Sequence, residues 1–249
     1  MGNHPFKGKI CVTDRDNELF EYLFLNKVAT VDQIRRDVMT NISLQNVNRR
    51  LRKLMKRKNL SYKLVEYPVP KRAYSITPKT FLEFQDIRSP YKRRELTSYS
   101  PLHDLVLVDI RKRMMASPSV SEYSTINYIN AVEEESIFPL KCMKQVQSDA
   151  CFVANIRDNK FIGCIEYEAS VKDNKRYVRL MMNYYYSPEI KFAIYICKTE
   201  QIKKRIKASE KKIYNGEHTK IFYALLEDVL DENKPLQFEC SNGHILGIK

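Results

Sequence analysis

The sequence predicts a mixed α+β protein, an N-terminal winged helix-turn-helix followed by an α/β domain in which helices flank a mixed sheet. Three capped helix starts and a pair of alternating strands fall within residues 1–88. Beyond residue 101, strand-like runs and helix-period segments follow in the order α-β-β-β-α-β-α, the sequence of a sheet with helices on its faces. Between them, residues 89–101 are polar, proline-bounded and contain Lys92-Arg93-Arg94, the composition of a linker. The expected domains are therefore 1–88 and 102–249.

Thr13 stands three residues before Asp16, and Leu19, Tyr22, Leu23 and Leu25 follow at helical spacing, which places a capped helix there. Thr30-Val31-Asp32-Gln33 repeats the device before Ile34 and Val38. A third helix starts at Ser43, with Leu44, Val47, Leu51, Leu54 and Met55 on one stripe. The short break at Thr40-Asn41-Ile42 gives helices two and three helix-turn-helix spacing. Tyr62 to Tyr67 and Arg72 to Ile76 alternate as strands around Pro68-Val69-Pro70-Lys71, the expected wing, and Thr77-Pro78 starts a helix through Phe84.

In the second part, Leu102 to Arg111 begins a helix. Strands are expected near Val120 to Ile126, Asp149 to Asn155, Phe161 to Glu168 and Ile190 to Lys198. The second and third of these flank Arg157-Asp158-Asn159-Lys160 and read as a hairpin. Helices are expected between Asp173 and Ser187 and between Thr199 and Ile213, and Ile221 to Leu226 reads as either strand or helix.

Charge separates the halves. Of the formal net charge of +13, residues 1–100 carry +11 and residues 101–249 only +2, so the N-terminal half is the expected polyanion binder. Its third helix carries Gln45, Asn46, Asn48, Arg49, Arg52 and Lys53, amide and guanidinium types that bond base edges and phosphates in a major groove. Seven of the ten residues from Arg49 to Lys58 are basic, and Lys71 and Arg72 at the wing tip add phosphate contacts to this expected DNA-binding surface. A solvated basic face and a protein-docking winged helix are the competing readings.

The six cysteines form no CxxC pair and lie mostly in apolar runs, which fits buried thiols in a reducing cytoplasm. No N-terminal apolar leader and no apolar run of about 18 residues is present, so neither export nor a membrane span is expected.

The chemistry-bearing stretch is Cys164-Ile165-Glu166-Tyr167-Glu168-Ala169-Ser170-Val171-Lys172. Side chains two apart on a strand share a face, so Glu166 and Glu168 project together while Asp149 approaches from the partner strand. Clustered carboxylates repel and lose hydration when buried, which points to a hard divalent cation, Mg²⁺ or Mn²⁺, and to phosphodiester cleavage. The plainer alternative is an edge strand with both glutamates facing solvent and Ile165, Tyr167 and Ala169 inside.

A helix-turn-helix with a wing, then His103-Asp104-Leu105 opening a helix, then Asp149 and Glu166-x-Glu168 on successive strands with Lys172 beyond, resembles the plasmid replication-relaxation family. Within it the likeness is to MOBC-type relaxases, whose catalytic domain has the restriction-endonuclease-like, PD-(D/E)xK fold. The resemblance implies metal-dependent nicking of double-stranded plasmid DNA at an origin of transfer, with accessory mobilisation and coupling proteins as further partners. It gives the catalytic roles to Asp149, Glu166, Glu168 and Lys172, with Asp149, Glu166 and Glu168 as metal ligands. Asp104 is a candidate outer ligand, and His103 beside it a candidate for ordering water or binding phosphate.

Where the nuclease signature has lysine two residues after the acid, this chain has Glu168, and Lys172 lies four further on. That departure keeps a second reading open, a DNA-binding regulator or accessory mobilisation or replication protein with an inactive nuclease-like fold. Relaxases built on a histidine triad are disfavoured, because the histidines at 4, 103, 218 and 244 contain no HxH pair. Tyr184-Tyr185-Tyr186 offers a covalent nucleophile, with core packing as its commoner role.

Overall fold

The computed structural model describes residues 11–67, 69–84, 98–131, 140–156, 159–213 and 219–248. Pro68, Arg157, Asp158 and residues 89–97 of the expected linker lie outside them. The described residues fall into two compact units, 11–84 with 98–105, and 106–248.

In the first unit, α1 (Asp14–Asn26) and α2 (Val31–Asp37) each begin with a reciprocal capping box, Thr13 with Asp16 and Thr30 with Gln33. Ser43 caps α3 (Leu44–Lys56), its hydroxyl accepting from the Asn46 N–H. The strands β1 (Ala29–Thr30), β2 (Leu60–Glu66) and β3 (Pro70–Ile76) make an antiparallel sheet in the order β1-β3-β2, and α4 (Pro78–Phe84) follows. Leu19, Leu23, Ile34, Val47, Leu51, Leu54, Ile76 and Phe81 are buried between these elements. Leu44 and Met55, expected on the buried stripe of α3, are exposed and half-buried, because they sit at the two ends of the helix.

The strand pair is longer than expected. Glu66 pairs with Pro70, so Pro70 and Lys71 belong to β3 rather than to the turn, and the Tyr67 N–H closes that turn on the Val69 carbonyl at 3.0 Å. A proline at the first residue of a strand removes no ladder donor that the pairing needs.

The division between units falls inside α5 (Pro101–Met115), and Pro101, expected in the linker, opens this helix, where its missing N–H has no cost. The second unit continues with β4 (Val120–Thr125), α6 (Ile126–Ala131), α7 (Leu140–Val146), β5 (Ala150–Ile156), β6 (Asn159–Glu168), α8 (Asn174–Tyr186) and β7 (Ile190–Cys197). It ends with α9 (Glu200–Glu210), β8 (Ile221–Leu225), α10 (Leu226–Leu230), β9 (Leu236–Cys240) and β10 (Ile245–Ile248). Thr125 ends β4 one residue early, because its hydroxyl accepts the Tyr128 N–H at 3.3 Å and starts α6.

Seven strands form one mixed sheet in the order β10-β9-β8-β7-β6-β5-β4. β4, β5 and β6 are an antiparallel meander, and β6, β7 and β8 are parallel neighbours joined through α8 and α9. The chain is thus a mixed α+β protein, as expected. Cys151, Cys164, Tyr195 and Tyr223 on one face of the sheet pack with Val146, Tyr177, Met181, Tyr184, Ile202 and Ile206 from α7, α8 and α9. On the other face Phe152, Phe192 and Phe222 form a row, with ring centroids 5.6 and 6.4 Å apart. Gly163 lies beneath it, and a Cβ there would stand 2.2 Å from Phe192.

Candidate functional site

The candidate site residues of the second unit collect where the meander meets the first parallel pair. β6 is central, and from Ile162 to Glu168 it is buried on both faces, so Glu166 and Glu168 face the interior. The edge-strand reading with solvent-facing glutamates is thereby overturned: β5 and β7 cover both sides of β6.

Asp149 stands one residue before β5, not on it, and its own carbonyl accepts the Ile126 N–H at 3.1 Å. Continuing the register from Ala150 opposite Ile165 brings it beside Glu166, and its Oδ2 accepts the Tyr167 backbone N–H at 2.8 Å. Glu166 lies opposite Tyr195 of β7, and its Oε1 accepts the hydroxyl of Tyr184 from α8. Burial pushes the Glu166 carboxyl well above the usual carboxylate range, and the Asp149 charge adds to the rise, while the Tyr184 hydroxyl only partly opposes it.

Glu168 has no exposed surface, and among the described residues no neutral donor reaches either of its carboxylate oxygens. Lys172 Nζ lies 2.7 Å from Oε2, forming an ion pair. Burial raises the Glu168 carboxyl and the Lys172 ammonium opposes the rise. Lys172 itself lies in the loop between β6 and α8. That loop is fixed by Tyr177, whose hydroxyl accepts the Lys172 N–H at 3.0 Å and donates to the Ser170 carbonyl at 3.4 Å.

One tyrosine thus bonds an acid, a second fixes the Lys172 loop, and a third lies opposite Glu166. Tyr177 and Tyr184 come from one buried stripe of α8, seven residues apart, and Tyr195 comes from the neighbouring strand. The Tyr195 hydroxyl is buried with no hydrogen-bond partner among the described residues, and burial with the Glu166 charge pushes it well above its ordinary range. Sequence reasoning missed Tyr177 and Tyr195. The i, i+7 spacing of Tyr177 and Tyr184 was the available signal. Tyr184 is buried and Tyr185 half-buried, the latter donating to Glu210 Oε1 at 3.0 Å, while Tyr186 is exposed.

Asp149, Glu166 and Glu168 lie within electrostatic reach of one another. Their all-oxygen donor set, with a buried unsatisfied carboxylate at Glu168, suits a hard divalent cation. Each carboxylate is nonetheless turned to a protein cation or donor. Among the described residues no group of three or more His, Cys, Asp or Glu is arranged as a metal cage. Asp104 belongs to the first unit, with His103 Nδ1 3.6 Å from its Oδ1.

In the first unit, Gln45, Asn46, Arg49, Arg52 and Lys53 are exposed on α3, opposite the buried Val47, Leu51 and Leu54. Asn48 is half-buried and donates its amide to the Leu44 carbonyl at 3.0 Å. Arg50 turns back from this face to a buried Asp16, Nε to Oδ1 at 2.8 Å. Lys71 pairs with Asp32, and the Arg72 guanidinium stacks 4.9 Å above the Tyr62 ring. A cleft of about 460 Å³ between the N-terminal ends of α1 and α3 is lined by Arg15, Asn46, Arg49 and Arg50, among others. Comparison with family models, curated proteins and solved structures finds no match to this chain.

Proposed function

We propose that the protein is a plasmid mobilisation relaxase, a metal-dependent endonuclease that nicks one DNA strand at an origin of transfer. The observation that carries this reading is the half-buried Asp149 beside the buried Glu166 and Glu168, where the antiparallel β4-β5-β6 meander passes through α8 into the parallel β7. That strand order and the placing of the acids resemble the restriction-endonuclease-like fold. The first unit is read as a winged helix with α3 as the DNA-reading helix and β2-β3 as the wing.

In this reading Asp149, Glu166 and Glu168 hold Mg²⁺ or Mn²⁺, which when bound polarises the scissile phosphate and lowers the pKa of an attacking water. Tyr184 orients the Glu166 carboxylate. Lys172, released from Glu168, places its ammonium where charge develops on the phosphate. Tyr177 keeps the Lys172 backbone in place during that exchange. Gln45, Asn46, Asn48 and Arg49 read the site, and Arg52, Lys53, Lys71 and Arg72 hold phosphates.

The test is conversion of supercoiled plasmid carrying its origin of transfer to open circles. Nicking should require Mg²⁺ or Mn²⁺ and vanish in Asp149→Ala and Glu166→Ala, while DNA binding persists. Full nicking by Asp149→Ala would end the nuclease reading. The Glu168–Lys172 ion pair favours a second reading, a DNA-binding regulator or accessory mobilisation protein with an inactive nuclease-like fold, because it occupies both groups with each other. A wild-type protein that binds plasmid DNA without nicking it in either metal would select that reading.

A further inference from the structure

We infer that the outward face of α8 is a track for a nucleic-acid strand, on which Lys175, Arg176 and Arg179 hold phosphates and Tyr186 stacks an unpaired base. This rests on the proposed nuclease reading and adds a strand-binding surface to the second unit, which the charge balance of the two halves did not suggest.

At 100° per residue, Lys175, Arg176, Asn183 and Tyr186 all fall within about 60° of Arg179 around the helix. The opposite side is the buried stripe of Tyr177, Met181 and Tyr184. Lys175, Arg176 and Arg179 are exposed, none of them is ion-paired among the described residues, and α8 itself contains no acid. Tyr186 is 76 % exposed and sits two turns beyond Arg179 on the same line. The helix is about 20 Å long, which spans several nucleotides at roughly 3.4 Å per step.

The track leads to the acids. Lys172 lies just before α8 on Glu168, and Arg176 is close enough to Glu168 to act on its charge. Guanidinium forks match phosphate oxygens, and an aromatic ring accepts any base face, so the combination fits a strand with unpaired bases. An anionic membrane is the poorer fit, because this face has no apolar stripe to insert, Met182 and Tyr186 being its exposed large apolar side chains.

The experiment uses the full chain without divalent metal, a fluorescent single-stranded oligonucleotide and a salt series. Arg176→Ala with Arg179→Ala should weaken binding about tenfold or more and flatten the log-affinity against log-salt slope by about 1.4, two phosphates' worth on a single strand. The double lysine variant, Arg176→Lys with Arg179→Lys, should recover most of the slope. Tyr186→Ala should lose roughly tenfold at unchanged slope, and Tyr186→Phe should retain affinity.

Alanine and lysine variants that both bind like wild type, or binding to anionic vesicles in place of the oligonucleotide, would overturn the track. If those variants bind and nick unchanged, the track fails and the nuclease reading stands. A wild-type protein with the predicted variant effects but no nicking leaves the track standing and removes the nuclease.

Discussion

Lys172→Ala tests the structural logic of the acidic face without requiring turnover. The substitution leaves Glu168 fully buried, with neither oxygen hydrogen-bonded and its only ion-pair cation among the described residues removed. Breaking a buried pair by deleting one partner costs about 3–5 kcal/mol when both are sealed from water. Here the lysine side chain keeps 27 % of its exposure, so water can reach the carboxylate after truncation, and about 2 kcal/mol is the expected loss near neutral pH. For a unit of this size that lowers the midpoint of thermal unfolding by about 4–8 °C.

The pH dependence carries a sign. Glu168 is raised above its unfolded value, so the folded state binds the proton more tightly and stability falls as pH rises between the two values. Lys172→Ala raises the folded value further, so its loss should be small below about pH 4, where Glu168 is protonated in both states, and should grow toward neutrality. Glu168→Gln in the same chain should remove most of the penalty. Mn²⁺ should restore stability to Lys172→Ala more than to wild type, because the ion replaces the missing positive charge. Thermal unfolding followed by tyrosine circular dichroism at several pH values reads all of this. A variant as stable as wild type at pH 8 and at pH 4 would refute the pairing of Lys172 with Glu168.

Three further outcomes are expected. Gly163→Ala should cost about 1–3 kcal/mol in denaturant unfolding, because the new methyl meets the Phe192 and Phe152 rings at 2.2 and 2.5 Å, and Phe192→Leu should recover part of it; an unaffected Gly163→Ala would show that the rings do not close over β6. Tyr195→Phe removes a buried hydroxyl that has no partner, so stability should be unchanged or higher, and a loss above about 1 kcal/mol would reveal a bond that the structure lacks. Arg50→Ala should destabilise the first unit by about 2 kcal/mol at pH 7, since Asp16 is buried and its carboxyl is held low by Arg50 and Thr13 against the rise from burial. The sign is opposite to that at Glu168: this stability is present above about pH 4 and lost on acidification, so an acid limb unchanged in Arg50→Ala would contradict it.

What the sequence disclosed and what it hid follow from the range of the forces involved. The caps at Thr13, Thr30 and Ser43 act within three residues and stand where their spacing places them, and the expected helix bounds at Asp173 and Thr199 are caps in the structure as well. The helices α6, α7 and α10 have five to seven residues, too few turns for a periodic stripe to stand out. The β9-β10 hairpin had a readable signal: Leu236, Phe238 and Cys240 alternate with Gln237 and Glu239 ahead of Asn242-Gly243, where the turn takes φ +85 at the glycine. At the site, the shared face of Glu166 and Glu168 was legible from strand period alone. Their burial was not, because position within a seven-stranded sheet is set by the crossovers through α8 and α9.

The composition of that buried face is hard to explain as packing. Glu166, Glu168, Tyr184 and Tyr195 lie in a layer where leucine and phenylalanine would fill similar volume without desolvating a carboxyl. Glu210 in the same unit shows how a buried acid is kept when structure alone is served: it receives Tyr185 at 3.0 Å, Tyr223 at 2.8 Å and Ser241 besides. Among the described residues Glu168 is met only by the Lys172 ammonium, at 2.7 Å, and the nearby Tyr195 hydroxyl gives it no hydrogen bond. One buried glutamate of this unit is thus satisfied three times over, while the other is left with a single half-exposed cation. Such local exceptions to otherwise consistent packing are where function is expected.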